Sequence, residues 1–266
     1  MKLKVIHVLV LIFCLGLFLR LVLLASYPAS LAWDEIAIGY NAFTIAQKGV
    51  DEYGTSFPLL FRSFDDFKLP GYIYLDALFI KVFGLSDFIV RLPSALLGSF
   101  LTIVIYFLFK KLFTERVGLI GSFLTAISPW ALQFSRGAFE ANAGLFVMVL
   151  GITLLVYGIK NRMMAFLAIP VLFSSLYFYY SQRLVVPVIF ITFLLLFWKK
   201  LQPNKKVYLL GLVVALVVII PMVVQIFSSH GLKRMAEVSI VQDGSVSLDY
   251  VLAREKHSDS FYNYVI

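Results

Sequence analysis

Gly71-Tyr72-Ile73-Tyr74-Leu75-Asp76-Ala77-Leu78-Phe79-Ile80-Lys81-Val82-Phe83-Gly84 is the stretch on which the fold turns. It is apolar enough to enter a membrane. It is shorter than the roughly 20 residues that cross a bilayer, and it carries Asp76 and Lys81. If it crosses, every later segment changes side. Seven other stretches are apolar enough to cross as helices: 5–25, 92–109, 117–134, 138–158, 163–180, 184–198 and 207–227. The charges between them decide. With seven crossings and the N-terminus inside, Lys2, Lys4, Lys110, Lys111, Arg116, Lys160, Arg162, Lys199, Lys200, Lys205 and Lys206 share the cytoplasmic side, where basic residues concentrate. Of the 15 acids, only Glu115 joins them. An eighth crossing would turn the lysine-rich loops outward. The 71–84 stretch therefore reads as a helix lying at the interface or packed on the bundle.

Composition agrees with lipid as the solvent. Hydrophobic residues make up 61% of the 266-residue chain, charged residues 14%, and the mean hydropathy is +0.92. A soluble domain is about half apolar and a quarter charged. The expected fold is an all-α membrane protein of about seven transmembrane helices with a helical first external loop, 26–91. The net charge of +8 is a topology signal rather than a nucleic-acid footprint, so the bilayer is the partner and nucleic acid is not. The N-terminal apolar run is long for a signal peptide and lacks a small-residue cleavage site, so it reads as a retained first helix. Cys14 has no second cysteine to pair with. Residues 1–227 form the expected membrane module. Residues 228–266 form an external segment with no closing span, expected to continue into a further C-terminal part.

The suspicious polar residues gather on the outer side. Trp33-Asp34-Glu35 follows the first span and opens a helix that Gly49 would close. Two readings stand side by side: first-turn acids that suit a helix N-terminus, or a carboxylate placed to deprotonate a hydroxyl or hold a divalent cation. Phe64-Asp65-Asp66-Phe67-Lys68-Leu69-Pro70-Gly71-Tyr72 returns the chain to the membrane. It is a solvated turn by base rate, or a lysine that meets a phosphate at headgroup level. Arg91 shares that choice between a phosphate ligand and an interfacial helix start. Arg136 and Glu140 are four apart and placed to pair on a helix face, with Asn142 continuing the polar stripe. Arg183 follows Tyr177-Phe178-Tyr179-Tyr180-Ser181-Gln182 in an abrupt turn. Its expected partner is Glu140 or a lipid phosphate, while most of the tyrosines suit an interfacial belt. His7, His230 and His257 show no metal-ligand spacing.

In order and spacing these pieces resemble the GT-C membrane glycosyltransferases, most of all the protein O-mannosyltransferases and the bacterial transferases that move aminoarabinose or mannose from a polyprenyl phosphate. Trp33-Asp34-Glu35 is similar to the family's acidic motif. Asp66-Phe67-Lys68-Leu69-Pro70 with Tyr72 and Tyr74 is similar to its Lys-Pro-Pro-Leu-Tyr element, with Leu69 for one proline and Gly71 where the family often has Leu. Arg91-Leu92-Pro93-Ser94-Ala95 resembles its entry to the second span, and Ser128-Pro129 through Arg136 and Glu140 its second external segment. The resemblance implies transfer of a mannose-like sugar from a polyprenyl- or dolichyl-phosphate donor to a hydroxyl of protein, lipid or glycan, with inversion, on the extracytoplasmic face. It implies Asp34 as catalytic base or as the group that orients the acceptor, with Glu35 beside it and Glu140 as second acid, assisting acceptor or metal binding. Lys68, Arg91, Arg136 and Arg183 become the donor-phosphate cations, and Asp65, Asp66 and Tyr72 line the acceptor side. No organic cofactor is implied. A divalent cation on Asp34 and Glu140 is left open. The rival from another class is a polytopic transporter or lipid flippase, which calls for repeats and midplane polar groups. A non-catalytic membrane subunit is a third.

Overall fold

The computed structural model describes residues 4–63 and 66–226, with the backbone alone for Asp66, Gln225 and Ile226. Asp65 and the 228–266 segment lie outside the described residues. Helix α1 (Val5–Leu21) is an unbroken apolar run that stops short of residue 25. An irregular stretch, 22–32, leads into α2 (Trp33–Lys48), which Gly49 closes in the left-handed conformation at φ 70°. Two short antiparallel strands follow, β1 (Phe61–Ser63) and β2 (Asp66–Lys68), with Phe61 opposite Lys68. This hairpin is a departure from the all-α expectation. Pro70 then starts α3 (Pro70–Phe83), since its ring presets a helical φ and its missing N–H costs nothing in the first turn.

Helix α3 is the 71–84 stretch, and it packs on α2 and on α4 (Asp87–Leu112). The helical spacing of Ile38, Ala42 and Ile45 meets that of Ile73, Ala77 and Ile80. Ile89, Val90, Ala138 and Ala143 complete this buried cluster. Here the hydrophobic effect welds the loop helices to the start of α4.

The expected crossing at 117–134 is broken in two, α5 (Glu115–Ile127) and α6 (Pro129–Arg136), bent by 55°. Pro129 cannot donate, and Ser128 caps the new helix by accepting from the Ala131 amide. Next come α7 (Glu140–Gly158), α8 (Arg162–Ser174) ending in a 3-10 turn at Ser175–Tyr177, α9 (Gln182–Leu201), a second 3-10 turn at Gln202–Asn204, and α10 (Lys205–Ile226). After α9, the Asn204 amide donates to the carbonyls of Gly158 and Ile159 at the end of α7. Tyr208 then bonds Leu155, and Tyr177 bonds Val218. From 204 to 208 the partners step back from 159 to 155, so the start of α10 runs antiparallel to the end of α7.

Among the described residues, three helical runs are long and apolar enough to cross a membrane: Asp87–Leu112, Glu140–Gly158 and Gln182–Val224. The bent pair α5–α6 makes a fourth if counted as one span. The expectation of seven is not reached on length and composition. α1 and α8 fall short, and α9 with α10 forms a single 43-residue run, about twice what a bilayer takes at roughly 1.5 Å per residue. Met1–Met222 make up one compact unit. Val223–Ile266 make up another, of which the last turn of α10 is described.

Candidate active site

Glu35 is buried, at 3% exposure, and its two oxygens accept four hydrogen bonds. The Ala32 amide reaches Oε2 at 2.9 Å, the N3 half of a capping box on α2. The Ala138 amide reaches Oε1 at 2.9 Å. Arg91 grips both oxygens, from Nε at 2.9 Å and Nη2 at 3.0 Å. Burial alone pushes this carboxyl up, but the Arg91 and amide hydrogen bonds together with the Arg91 charge outweigh it and hold the carboxyl below its ordinary 4.5. The remaining N–H groups of Arg91 go to the carbonyls of Leu24, Pro28 and Ser30. All five of its donors therefore end on protein acceptors.

Arg136 has a similar task. It donates to the carbonyls of Leu19, Arg20, Leu23 and Tyr27, at the end of α1 and just beyond it. It makes no pair with Glu140, because extended Gly137 parts α6 from α7 and removes the shared helix face. The 22–32 stretch has few backbone partners of its own, and a carbonyl away from water must find a donor. Arg91 and Arg136 supply them. Arg20 does the same for α5. Its guanidinium reaches the carbonyls of Thr125 and Ala126, and Thr125 is the residue whose helical donor is lost at Pro129. Sequence reasoning passed over Arg20. The signal was present as a lone Arg in an apolar run, which needs acceptors from somewhere.

Asp34 points the other way from Glu35. Its side chain is 52% exposed, and it accepts from Lys68 Nζ at 2.5 Å, with the lysine side chain only 6% exposed. Hairpin β1–β2 delivers that lysine across 34 positions. Glu140 opens α7, and the charges of Lys68 and Asp34 both reach it. Its Oε2 is buried without a hydrogen-bond partner among the described residues. The Tyr180 ring carries the Arg183 guanidinium at 4.8 Å, and its electrostatic neighbours are Arg183 and Glu140. Arg183 takes no carboxylate partner among the described residues, and its Nε is buried without an acceptor. Asp34, Lys68, Glu140 and Arg183 thus form one neighbourhood of two acids and two cations. It lies on the first turns of α2 and α7, where backbone N–H groups favour negative charge.

Tyr72, expected to line the site, is fully buried instead. Its hydroxyl donates to the Val90 carbonyl at 3.0 Å and accepts from the Ser94 amide at 3.2 Å. Those two groups are natural partners in a helix, and the hydroxyl is inserted between them beside Pro93. Asn142 braces the same turn, donating to the Ser94 carbonyl and hydroxyl. Asp66 contributes backbone pairing in β2. No group of three or more His, Cys, Asp or Glu that could hold a metal occurs among the described residues. Asp34 and Glu140 remain a pair of carboxylates.

A cavity of about 300 Å³ opens between α4, α6, α7 and α9, lined mainly by apolar side chains including Leu101, Trp130, Phe134 and Met148, with Arg20, Asn142 and Gln182 among the polar ones. A bundle of helices long and apolar enough to cross a bilayer, with charged side chains gathered at the helix starts, marks an integral membrane protein. The family model for dolichyl-phosphate-mannose-protein mannosyltransferase matches residues 68–224, more than half of the chain, and the chain belongs to that family of membrane glycosyltransferases. The match takes in Lys68, Arg91, Arg136, Glu140 and Arg183; Asp34 and Glu35 precede it. A comparison with curated proteins finds no match.

Proposed function

We propose that the chain moves a mannose-like sugar from a polyprenyl- or dolichyl-phosphate donor to a hydroxyl acceptor, with inversion, on the extracytoplasmic face of the membrane. The observation that carries this is the Asp34–Lys68 pair, in which a half-exposed carboxylate and a buried ammonium are held together with Glu140 and Arg183 close by. In the resting protein Lys68 occupies Asp34. An arriving phosphate competes for the lysine and frees the carboxylate. Asp34 then accepts the acceptor's hydroxyl proton, the oxygen forms a bond to the anomeric carbon, and the bond from that carbon to the phosphate oxygen breaks. The phosphate leaves with the electron pair and is stabilised by Lys68 and Arg183, cations already in place and partly shielded from water. Glu140 is the second acid of the site and would share a divalent cation with Asp34 if one binds.

Glu35, Arg91 and Arg136 take a supporting role in this scheme. Their hydrogen bonds fix the segment that carries Asp34, in place of the catalytic and phosphate-binding roles that the resemblance implies for them. The apolar cavity, whose lining includes Ser181 and Gln182 at the start of α9, suits an isoprenyl chain whose phosphate lies at the rim. The charge asymmetry of the loops supports about seven crossings with the N-terminus cytoplasmic, α9 and α10 forming one hairpin of that set.

Asp34→Asn tests the scheme. With dolichyl-phosphate mannose as donor, kcat is expected to fall by about a hundredfold or more, the usual worth of a positioned base, with the melting temperature unchanged. Wild-type turnover in that variant would remove Asp34 as base. No turnover of any polyprenyl-phosphate sugar by the wild-type full-length protein would shift the weight to the transporter reading.

A further inference from the structure

We infer that Tyr180 is a positioning residue that holds Lys68 and Arg183 in one rigid unit, and that the turn between α8 and α9 is thereby the second wall of the site. The inference rests on the phosphate-binding role proposed above for those two cations. Three observations meet here. The Tyr180 hydroxyl donates to the Phe67 carbonyl at 3.0 Å, across 113 positions of sequence, and Phe67 immediately precedes Lys68. The face of the same ring lies 4.8 Å from the Arg183 guanidinium carbon. At Gly71, a Cβ would fall 2.8 Å from the Tyr177 carbonyl oxygen and 2.9 Å from the Phe178 ring. The segment bearing Lys68 is therefore pressed directly onto the turn bearing Tyr180, with no room for a side chain between them.

One aromatic ring thus performs two tasks. Its O–H pins the backbone from which Lys68 projects. Its π face, electron-rich, holds a guanidinium that has no carboxylate to lean on among the described residues. The two cations come from parts of the chain that share no helix, yet their separation is set by one side chain. For a dianionic phosphate that separation matters, because fixed charges stabilise a leaving group only when they need not reorganise to reach it. Gly71 is the position at which this chain departs from the Leu common in the resembling family, and the close approach is the physical reason a side chain is excluded there.

The test is binding of farnesyl phosphate to the purified full-length protein in detergent, measured by titration calorimetry. Tyr180→Phe keeps the ring under Arg183 and removes the bond to Phe67. It is expected to raise the Kd about fivefold, the size of one neutral hydrogen bond. The decisive comparison is in a Lys68→Met background, where the same change is expected to have no effect, because a residue acting through Lys68 has nothing left to position. Gly71→Ala leaves Tyr180 intact and forces the two walls apart, and it too should weaken binding only when Lys68 is present. If Tyr180→Phe binds as tightly as wild type, or weakens binding equally with and without Lys68, the positioning role is overturned while the phosphate site stands. If wild type itself does not bind farnesyl phosphate, the site assignment fails and this inference fails with it.

Discussion

Asp34 and Glu35 are adjacent in sequence and face different solvents. Glu35 spends every acceptor it has on Arg91 and two backbone amides, whereas Asp34 keeps half its surface open. Arg91→Met is therefore expected to cost about 3–5 kcal/mol, the penalty for stranding one partner of a buried pair, read as a drop in melting temperature in detergent. A pure phosphate ligand would instead raise KM at constant stability. Two buried carboxyls give opposite pH signatures. The folded pKa of Glu35 lies below its ordinary value, so its contribution is present above about pH 4.5 and is lost as pH falls through the depressed value. Asp76 on α3 is fully buried with neither oxygen partnered among the described residues, and burial raises its carboxyl from 3.8 to about 8. Folding is then most favourable at low pH for this group, and the contribution is lost as pH rises from about 4 through 8. Asp76→Asn should raise the melting temperature more at about pH 8 than at about pH 5. An equal gain at both values would show that Asp76 is not protonated in the folded protein.

The break between α5 and α6 is an exchange of donors. Pro129 withholds an N–H from the Thr125 carbonyl, and Arg20 supplies one. Arg20→Met should destabilise by about 1–3 kcal/mol, the cost of an unsatisfied buried acceptor. In a Pro129→Ala background the loss should shrink, because the alanine N–H can donate to the Thr125 carbonyl in place of the guanidinium; undiminished loss in a thermal-unfolding cycle would show that Arg20 matters for other reasons. The helices themselves were legible in the sequence. The apolar runs, Gly49, Pro70 and the Lys-rich turns fall where elements begin or end. Pro129 was legible as a proline within the expected 117–134 crossing but not as the hinge of two helices, where the guanidinium that serves the Thr125 carbonyl comes from 105 positions away. The hairpin β1–β2 was hidden because strands of three residues carry no usable periodicity.

Across the whole molecule, the acids and cations predicted from sequence to cluster do so in part. Asp34, Lys68, Glu140 and Arg183 converge, whereas Arg91, Arg136 and Tyr72 turn inward to backbone groups. What separated the two sets is acceptor supply. The irregular 22–32 segment has carbonyls to satisfy, and nothing in a linear sequence says which arginine will serve them. The charge-derived topology is testable at this scale. In a Cys14→Ala protein, a cysteine at Thr114 should resist a membrane-impermeant thiol reagent in intact cells, while one at Thr55 in the outer loop should react. Reversal of that pattern would invert the proposed orientation and place the site on the cytoplasmic side.

The arginine contacts to the end of α1 bear on how the protein is made. Leu19, Arg20, Leu23 and Tyr27 leave the ribosome well before the group that their carbonyls accept from, which belongs to Arg136, and the amide that completes Glu35 belongs to Ala138, 103 positions after it. The segment before α2 must therefore wait, hydrated or bound to a helper, through the synthesis of α3, α4, α5 and α6. Only when the α6–α7 junction has been made can the C-terminal end of α1 close, so the site is assembled long after its first carboxylate, Asp34, has been translated.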